Sequence, residues 1–374
     1  MKSLKNYVKN YIKDYINESV WDINESVWDI NESVWDIEDN VEDDNKEFVL
    51  NDIKKFIEDA YNIDPQKHCD IIFNEEKNKY IANSRTNLTL NLITDTLTNG
   101  MFEWGTVKGW FDCSYCPITS LEGAPEYVSG TFACRSCKKL KSLKGAPKKH
   151  CTNFDCGGCI ALESLEGVTQ SNKLVLKCSN CYKITSLKGL PKNMNSLDCS
   201  GCNITSLKGA PEKISWFDCS GCPITSLEGA PKYVKMVFEC NSCPKLKNLE
   251  GAPEYVEGSF SCRNCQNLEN LEGAPKKIGG VFSCINCPKL ESLKGAPEII
   301  GNNFNCNNCS KLESLEGAPK KIGYSFNCSG CTNLTSPKGA PKEVGKDFDC
   351  SGCPNLHSLD GIGEVKGNII SDMK

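Results

Sequence analysis

The sequence predicts a mainly β repeat solenoid with short parallel strands, an extended or polyproline-like outer side, an N-terminal α-helical segment and a small α+β cap. Three observations carry this reading. The block FSCINCPKLESLKGAP, at Phe282–Pro297, recurs without interruption from Phe111 almost to the C-terminus. The first cysteine of each copy falls at Cys113, Cys134, Cys156, Cys178, Cys199, Cys219, Cys240, Cys262, Cys284, Cys306, Cys328 and Cys350, 20 to 22 residues apart, and self-similarity at such a period marks a solenoid. Within each copy one residue separates the Phe slot from the first Cys, so both side chains fall on one face of a short strand.

Taken in order, residues 1–40 read as an amphipathic helix. Ile16, Val20, Ile23, Val27, Ile30, Val34 and Ile37 follow the a/d spacing of a coiled coil, and NESVWDI occurs three times in succession, setting Trp21, Trp28 and Trp35 beside that stripe. Two readings stay open: a duplicated, tolerated tail, or a docking and oligomerisation surface made by Val20, Trp21, Ile23, Val27, Trp28, Ile30, Val34 and Trp35. Residues 41–84 read as a small α+β segment. It opens with acidic residues, continues as a helix over Glu47–Tyr61 that ends before Pro65, and closes with two strands, Ile71–Phe73 and Lys79–Ala82, around a polar turn.

The solenoid occupies residues 85–374, with twelve CxxC repeats and degenerate repeats at its ends. Leu88, Leu90 and Ile93 match the F-x-C-x-x-C slots with aliphatics, which predicts a capping repeat over residues 85–110. Val365-x-Gly-x-Ile369-x-Ser371 repeats the spacer as a closing half repeat. A Gly stands at one place in all twelve copies, from Gly123 to Gly361, where a turn wants positive φ or close backbone approach. The Pro two residues later disfavours a helix on the outer side. Gly167 and Gly361 lack that Pro, Leu190 replaces Ala, and Pro337 fills a Leu slot; each predicts a local irregularity.

The unit F-x-C-x-x-C, followed by Ile or Leu and a second Leu, resembles the leucine-rich repeat, with Phe and Cys in the two strand slots and the second Cys in the slot that family gives to Asn or Cys. Leu176 and Leu197 in the Phe slot fit the same layout. The short period and the Gly-Ala-Pro turn are similar to compact bacterial and viral versions, and the repeat style with its acidic leader resembles proteins of large tailed bacteriophages. The family implies a binding scaffold.

Composition excludes more than it selects. A net charge of −5 does not point to nucleic acid, no apolar run is long enough to cross a bilayer, and MKSLKNYVKNYIKDY lacks the apolar core of a secretion signal. A soluble, cytoplasmic protein with reduced thiols is expected, or a virion protein if phage-encoded. The spacing C-x2-C-x17-C-x2-C fits a zinc ribbon, yet the repeat itself generates that match. Buried, reduced thiols are the favoured fate of the 26 cysteines, with zinc binding and disulfides as alternatives. One cluster, His150, Cys151, Cys156 and Cys159, keeps the metal alternative in play. No catalytic constellation appears, and neither an enzymatic role nor a cofactor is expected.

Outward strand positions form the extended face through which solenoids bind. Between Phe and Cys stand Asp112, Asp155, Asp198, Asp218, Glu239 and Asp349, with Trp110 and Trp216 just before the Phe slot. Carboxylates beside aromatics suit a protein partner of basic or mixed surface. The expected function is therefore a non-enzymatic interaction scaffold, tethered or oligomerised through its N-terminal helix. A zinc-binding repeat protein and a structural virion or assembly component of a large phage are the alternatives.

Overall fold

Phenylalanine stacked on phenylalanine sets the architecture. In the computed structural model, which describes residues 42–90, 96–98, 100–149 and 151–373, short strands pair in parallel so that each Phe slot meets its equivalent one turn away. Phe111, Phe132 and Phe154 form one stack, and Phe217, Phe238, Phe260, Phe282, Phe304, Phe326 and Phe348 a second, with ring centroids 5.0 to 5.5 Å apart. Leu176 and Leu197 occupy the slot between the stacks in unbroken register. All these side chains are fully buried, as are the Leu and Ile residues that follow each CxxC as far as Leu334. The fold is a parallel β-solenoid of about thirteen turns.

Two rows of strands run along it. The Phe row extends from Leu88–Thr89 to Ile369–Ile370, and a second row carries the Val or Ile of each spacer, as in Tyr255–Val256 and Lys277–Ile278. Among the described residues, Leu88–Thr89 pairs only with Phe111–Asp112 and Ile369–Ile370 only with Phe348–Asp349, so the array is an open stack. The aliphatic capping repeat expected at Leu88 and Leu90 is present, both residues being buried; Ile93 lies outside the described residues. At the far end Ile369 keeps the Phe register, yet it and Ile370 stay exposed.

A corner separates the two rows, and glycine makes it in the turns that lead into Phe111, Phe132, Phe260, Phe282, Phe304, Phe326, Phe348 and Ile369. A Cβ on Gly323 would lie 2.1 Å from the carbonyl oxygen of Gly301 in the turn before, a distance no side chain survives. In two consecutive turns the corner holds Ser215, or Lys235 and Met236, and there the rows fuse into long strands, Lys213–Asp218 and Tyr233–Glu239, paired across a β-bulge. The second corner, at the Gly-Ala-Pro turn, closes as the spacing requires: all twelve glycines from Gly123 to Gly361 have positive φ. Beyond His68 no helix occurs among the described residues, in keeping with the extended outer side expected from the prolines. Pro337 departs from expectation. It is buried in its Leu slot without disturbing the turn, because the turn uses its carbonyl, which accepts from Ala340 N–H at 2.9 Å as Leu315 accepts from Ala318.

The N-terminal part of the described chain is one helix, Glu42–Tyr61, longer than the Glu47 start expected because it begins inside the acidic stretch. Residues 53–374 cluster as one unit and residues 1–52 as another. Within the former, Ile53, Ile57 and Ala60 are buried, and Tyr61 seats its ring 5.3 Å from Trp104 and 5.9 Å from Phe111, the first ring of the stack. Its hydroxyl donates to Leu97 O at 2.6 Å and accepts from Trp104 Nε1 at 3.2 Å. A hairpin, Cys69–Asn74 with Lys79–Ser84, pairs in parallel with Phe102–Val107 and so continues the second row. The heptads of residues 1–40 lie outside the described residues, whose helices include none long and apolar enough to cross a membrane.

Twelve further residues have positive φ, one in each CxxC, immediately before the second Cys. Gly or Asn fills nine of these places, Ser136 and Ser242 two, and Tyr115 one. A left-handed backbone costs an ordinary side chain roughly 1–2 kcal/mol. Gly295→Ala should therefore lose at least about 1 kcal/mol from its backbone alone, and more because the new Cβ would lie 2.5 Å from Glu272 Cα. Tyr115→Asn, at a left-handed position that is exposed to solvent, should gain up to about 1 kcal/mol. Urea denaturation of both variants checks the pair, and a Gly295→Ala protein as stable as the parent would contradict the turn geometry.

Candidate binding face and the cysteine ladder

Residues before and after each Phe slot point out of the Phe row and line its open face. Most of the carboxylates there have a local structural task. Asp112, Asp155, Asp198, Asp218 and Asp349 each accept the backbone N–H two residues on, at 2.8 to 3.1 Å, closing an Asx turn as the chain leaves the strand. Asn327 closes the same turn, accepting from Ser329 N–H at 2.9 Å. The turn thus needs the side-chain oxygen and not the charge. Arg135 bridges Asp112 and Asp155 at 3.9 and 3.8 Å, and Asp349 accepts from Asn327 Nδ2 at 3.3 Å.

Asp198, Asp218 and Glu239 differ from the rest. They are direct cross-strand partners on three successive turns, which sets them about 4.8 Å apart along the row. Lys177 bounds the row on one side and Ser261 on the other. Burial pushes the Asp218 carboxyl above the usual range and the nearby Asp198 charge adds to it; burial does the same to Glu239, helped by Asp218 and opposed in part by the Arg263 charge. Trp216 stands beside them, paired across the strands with Ser196 and Val237. Trp216, Asp218 and Glu239 sit on the two fused strands and Asp198 on the short strand before them, Ser196–Asp198. Around the same strands Met236 and Tyr255 are largely exposed.

The structure therefore divides the expected binding residues. Trp216, Asp198, Asp218 and Glu239 come together; Trp110, half exposed, lies with Asp112 and Asp155 near the N-terminal end, and Asp349 lies five turns beyond Glu239. The helical stripe of residues 20–35 lies outside the described residues, as does His150. Of its expected companions, Cys151 donates to Asn153 O at 3.3 Å and Cys159 to Cys134 O at 3.0 Å, with Cys156 buried between them in the chain. Among the described residues no three His, Cys, Asp or Glu side chains gather in a way that would hold a metal ion.

All 26 cysteines are buried and unbridged. The second Cys of each repeat donates its thiol backward to the carbonyl of the first Cys one turn earlier, as in Cys137 to Cys113 at 3.1 Å, Cys202 to Cys178 at 3.1 Å and Cys287 to Cys262 at 3.3 Å. The first Cys donates forward to the strand carbonyl of the next turn, as in Cys113 to Ala133 at 3.4 Å and Cys219 to Glu239 at 3.4 Å. Two thiol rows thus run in opposite senses through the core. Three features escaped the sequence reading: the left-handed residue inside CxxC, the Asx turns and the fused strands. The first two had a signal in the Gly or Asn before the second Cys and the Ser after the first.

Burial raises most of these thiols, whereas hydrogen bonds from neighbouring thiols lower Cys159, Cys222 and Cys331. Burial first, then the charge of neighbouring sulfurs, pushes Cys240, Cys262, Cys306 and Cys328 well above the ordinary thiol range, and burial lifts Cys265 to about 12 and Cys350 to about 11. A thiol with a raised value holds its proton in the folded state where the unfolded chain has lost it. Its contribution is complete below the unfolded value of about 8.5 and is lost as pH rises from there through the folded one. The urea midpoint should therefore fall steadily from about pH 8.5 upward. A midpoint unchanged between pH 8 and 11 would contradict a core of protonated thiols.

Comparison of the chain with protein-family models, with curated proteins and with solved structures returned no match.

Proposed function

We propose that the chain is a non-enzymatic interaction scaffold, a solenoid of the short leucine-rich-repeat type that binds a protein partner through the open face of its Phe row. One observation carries this reading. Asp198, Asp218 and Glu239 place three carboxylates side by side, two of them in Asx turns that need no charge, as Asn327 shows, and the trio has no ion pair like that of Arg135 with Asp112 and Asp155, the Arg263 charge only partly offsetting Glu239. Adjacent like charges oppose folding. A basic segment laid across the strands would offset that repulsion, with Trp216 and Val237 supplying an apolar contact.

The lysines support a protein in preference to a nucleic acid. Lys183, Lys188, Lys208, Lys294, Lys311, Lys320 and Lys321 each pair with a glutamate one turn away. A phosphate backbone would have to displace those partners. Buried reduced thiols suit a reducing compartment such as the cytoplasm. The heptads of residues 1–40 would supply tethering or self-association.

Pull-down from lysate with the full chain, compared with an Asp198→Asn, Asp218→Asn, Glu239→Gln variant and with a chain lacking the first 40 residues, tests this reading. Asn at the two Asp positions keeps the turns, so the triple variant should fold and should hold its partner at least about tenfold more weakly. Partner recovery unchanged in that variant, but lost in the truncated chain, would move the binding function to the N-terminal segment.

A further inference from the structure

The corner at Asp360–Gly361 differs from its equivalents in chemistry and in packing. Eleven copies of the repeat place Glu or Lys before this glycine, and the twelfth places Asp360 there, in the one Asp-Gly of the chain. Aspartate is the acid whose carboxyl carbon reaches the next backbone nitrogen through a five-membered ring. With Glu the ring would need six members, and Lys has no carboxyl carbon to attack. Glycine, having no Cβ, leaves its nitrogen open to the approach.

The fold leaves both reacting groups free. Asp360 and Gly361 are exposed, and the Asp360 N–H donates to Ser358 Oγ at 2.9 Å, which does not engage the carboxylate. Among the described residues no ion pair or hydrogen bond holds that carboxylate, whereas Lys188, Lys208, Lys294 and Lys338 of the same column each pair with a glutamate. The Gly361 N–H likewise donates to no carbonyl. Behind the corner stands Pro337. It closes its own turn, but it has no N–H for the Asp360 carbonyl, where Leu227, Leu249 and Leu271 bind the equivalent carbonyl of the next turn at 2.8 to 3.0 Å. A Cβ added to any other glycine of the column would meet an atom of the turn before within 3.1 Å; at Gly361 nothing lies within 4 Å. The backbone of this corner has room to turn.

We propose that Asp360–Gly361 is a self-modification site, at which the folded chain converts Asp360 to isoaspartate through a succinimide. In the first step the Gly361 nitrogen attacks Cγ of the protonated Asp360 carboxyl. The N–Cγ bond forms, the bond from Cγ to the hydroxyl oxygen breaks, and that hydroxyl leaves with the amide proton as water. In the second step a water opens the ring. Attack at Cγ restores aspartate; attack at the main-chain carbonyl carbon of Asp360 breaks its bond to the Gly361 nitrogen and leaves isoaspartate. No electrons are exchanged, and the water lost in the first step is regained in the second. The product runs its main chain through Cβ and Cγ, so the corner gains an atom. That lengthening falls just ahead of Glu364–Val365 and Ile369–Ile370, whose pairing with Glu343–Val344 and Phe348–Asp349 depends on register.

The test is to incubate the reduced, folded full chain at neutral pH and physiological temperature, digest it, and locate isoaspartate by electron-transfer fragmentation. Isoaspartate derived from asparagine, as at Asn99–Gly100, is told apart by the mass it gains on losing ammonia. The peptide carrying Asp360 should hold at least about tenfold more isoaspartate than that of any other aspartate, because only there does glycine follow. In an Asp360→Glu chain, which restores the residue most copies carry, the signal at this peptide should be lost. Isoaspartate spread evenly over the aspartates, or a signal that survives in Asp360→Glu, would overturn the proposal. So would a chain that forms isoaspartate at Asp360 when unfolded in urea and none there when folded, because the corner would then be held closed.

Discussion

Register is the constraint on which everything else in this molecule depends. Each turn must return to the Phe row in step with the one before, so that ring meets ring, thiol meets carbonyl and strand meets strand. Turns of 20 to 22 residues achieve this by absorbing their length differences in the corners and leaving the strands untouched. The glycines matter because they sit where two turns approach too closely for a side chain. The aromatic cap of Tyr61, Phe102 and Trp104 matters because the turn before the first ring of the stack offers only Leu88 in the Phe slot, and Tyr61 packs on that ring.

The cysteines follow from the same constraint. Inside a stack with a rise of about 4.8 Å, a buried side chain meets its own kind above and below, so a charged or strongly polar residue would be repeated at the distance where it harms most. A thiol is small, packs as an apolar group and offers one weak donor. Here that donor meets a carbonyl of the neighbouring turn in row after row. The CxxC pattern is thus a packing device that has the spelling of a metal site.

Much of the fold was legible because periodicity writes it many times over. The strand slots at Phe and Cys, the positive φ at the Gly-Ala-Pro turn, the aliphatic repeat at Leu88 and the helix ending at Tyr61 all follow from pattern and turn chemistry. The site was less legible. Six acidic residues share one column, but only their register and surroundings show that Arg135 neutralises two of them while Asp198, Asp218 and Glu239 stand together. The fused strands that carry Trp216, Asp218 and Glu239 leave no mark in the consensus: their corners lack glycine, but so do those before Phe154, Leu176 and Leu197, where the strands stay short. Pro337 reads as a fault in the sequence and is harmless in the structure, because its carbonyl, not its missing N–H, closes the turn.

Metal content and thiol accessibility, measured together on the full chain purified under reducing conditions, test the central claim most directly. The account predicts no stoichiometric zinc, and 26 thiols that titrate after denaturation while the great majority resist alkylation in the native state. Stoichiometric zinc whose removal by a chelator unfolds the chain would contradict it, because the cysteine rows would then be ligands and not the hydrogen-bonded filling of the core.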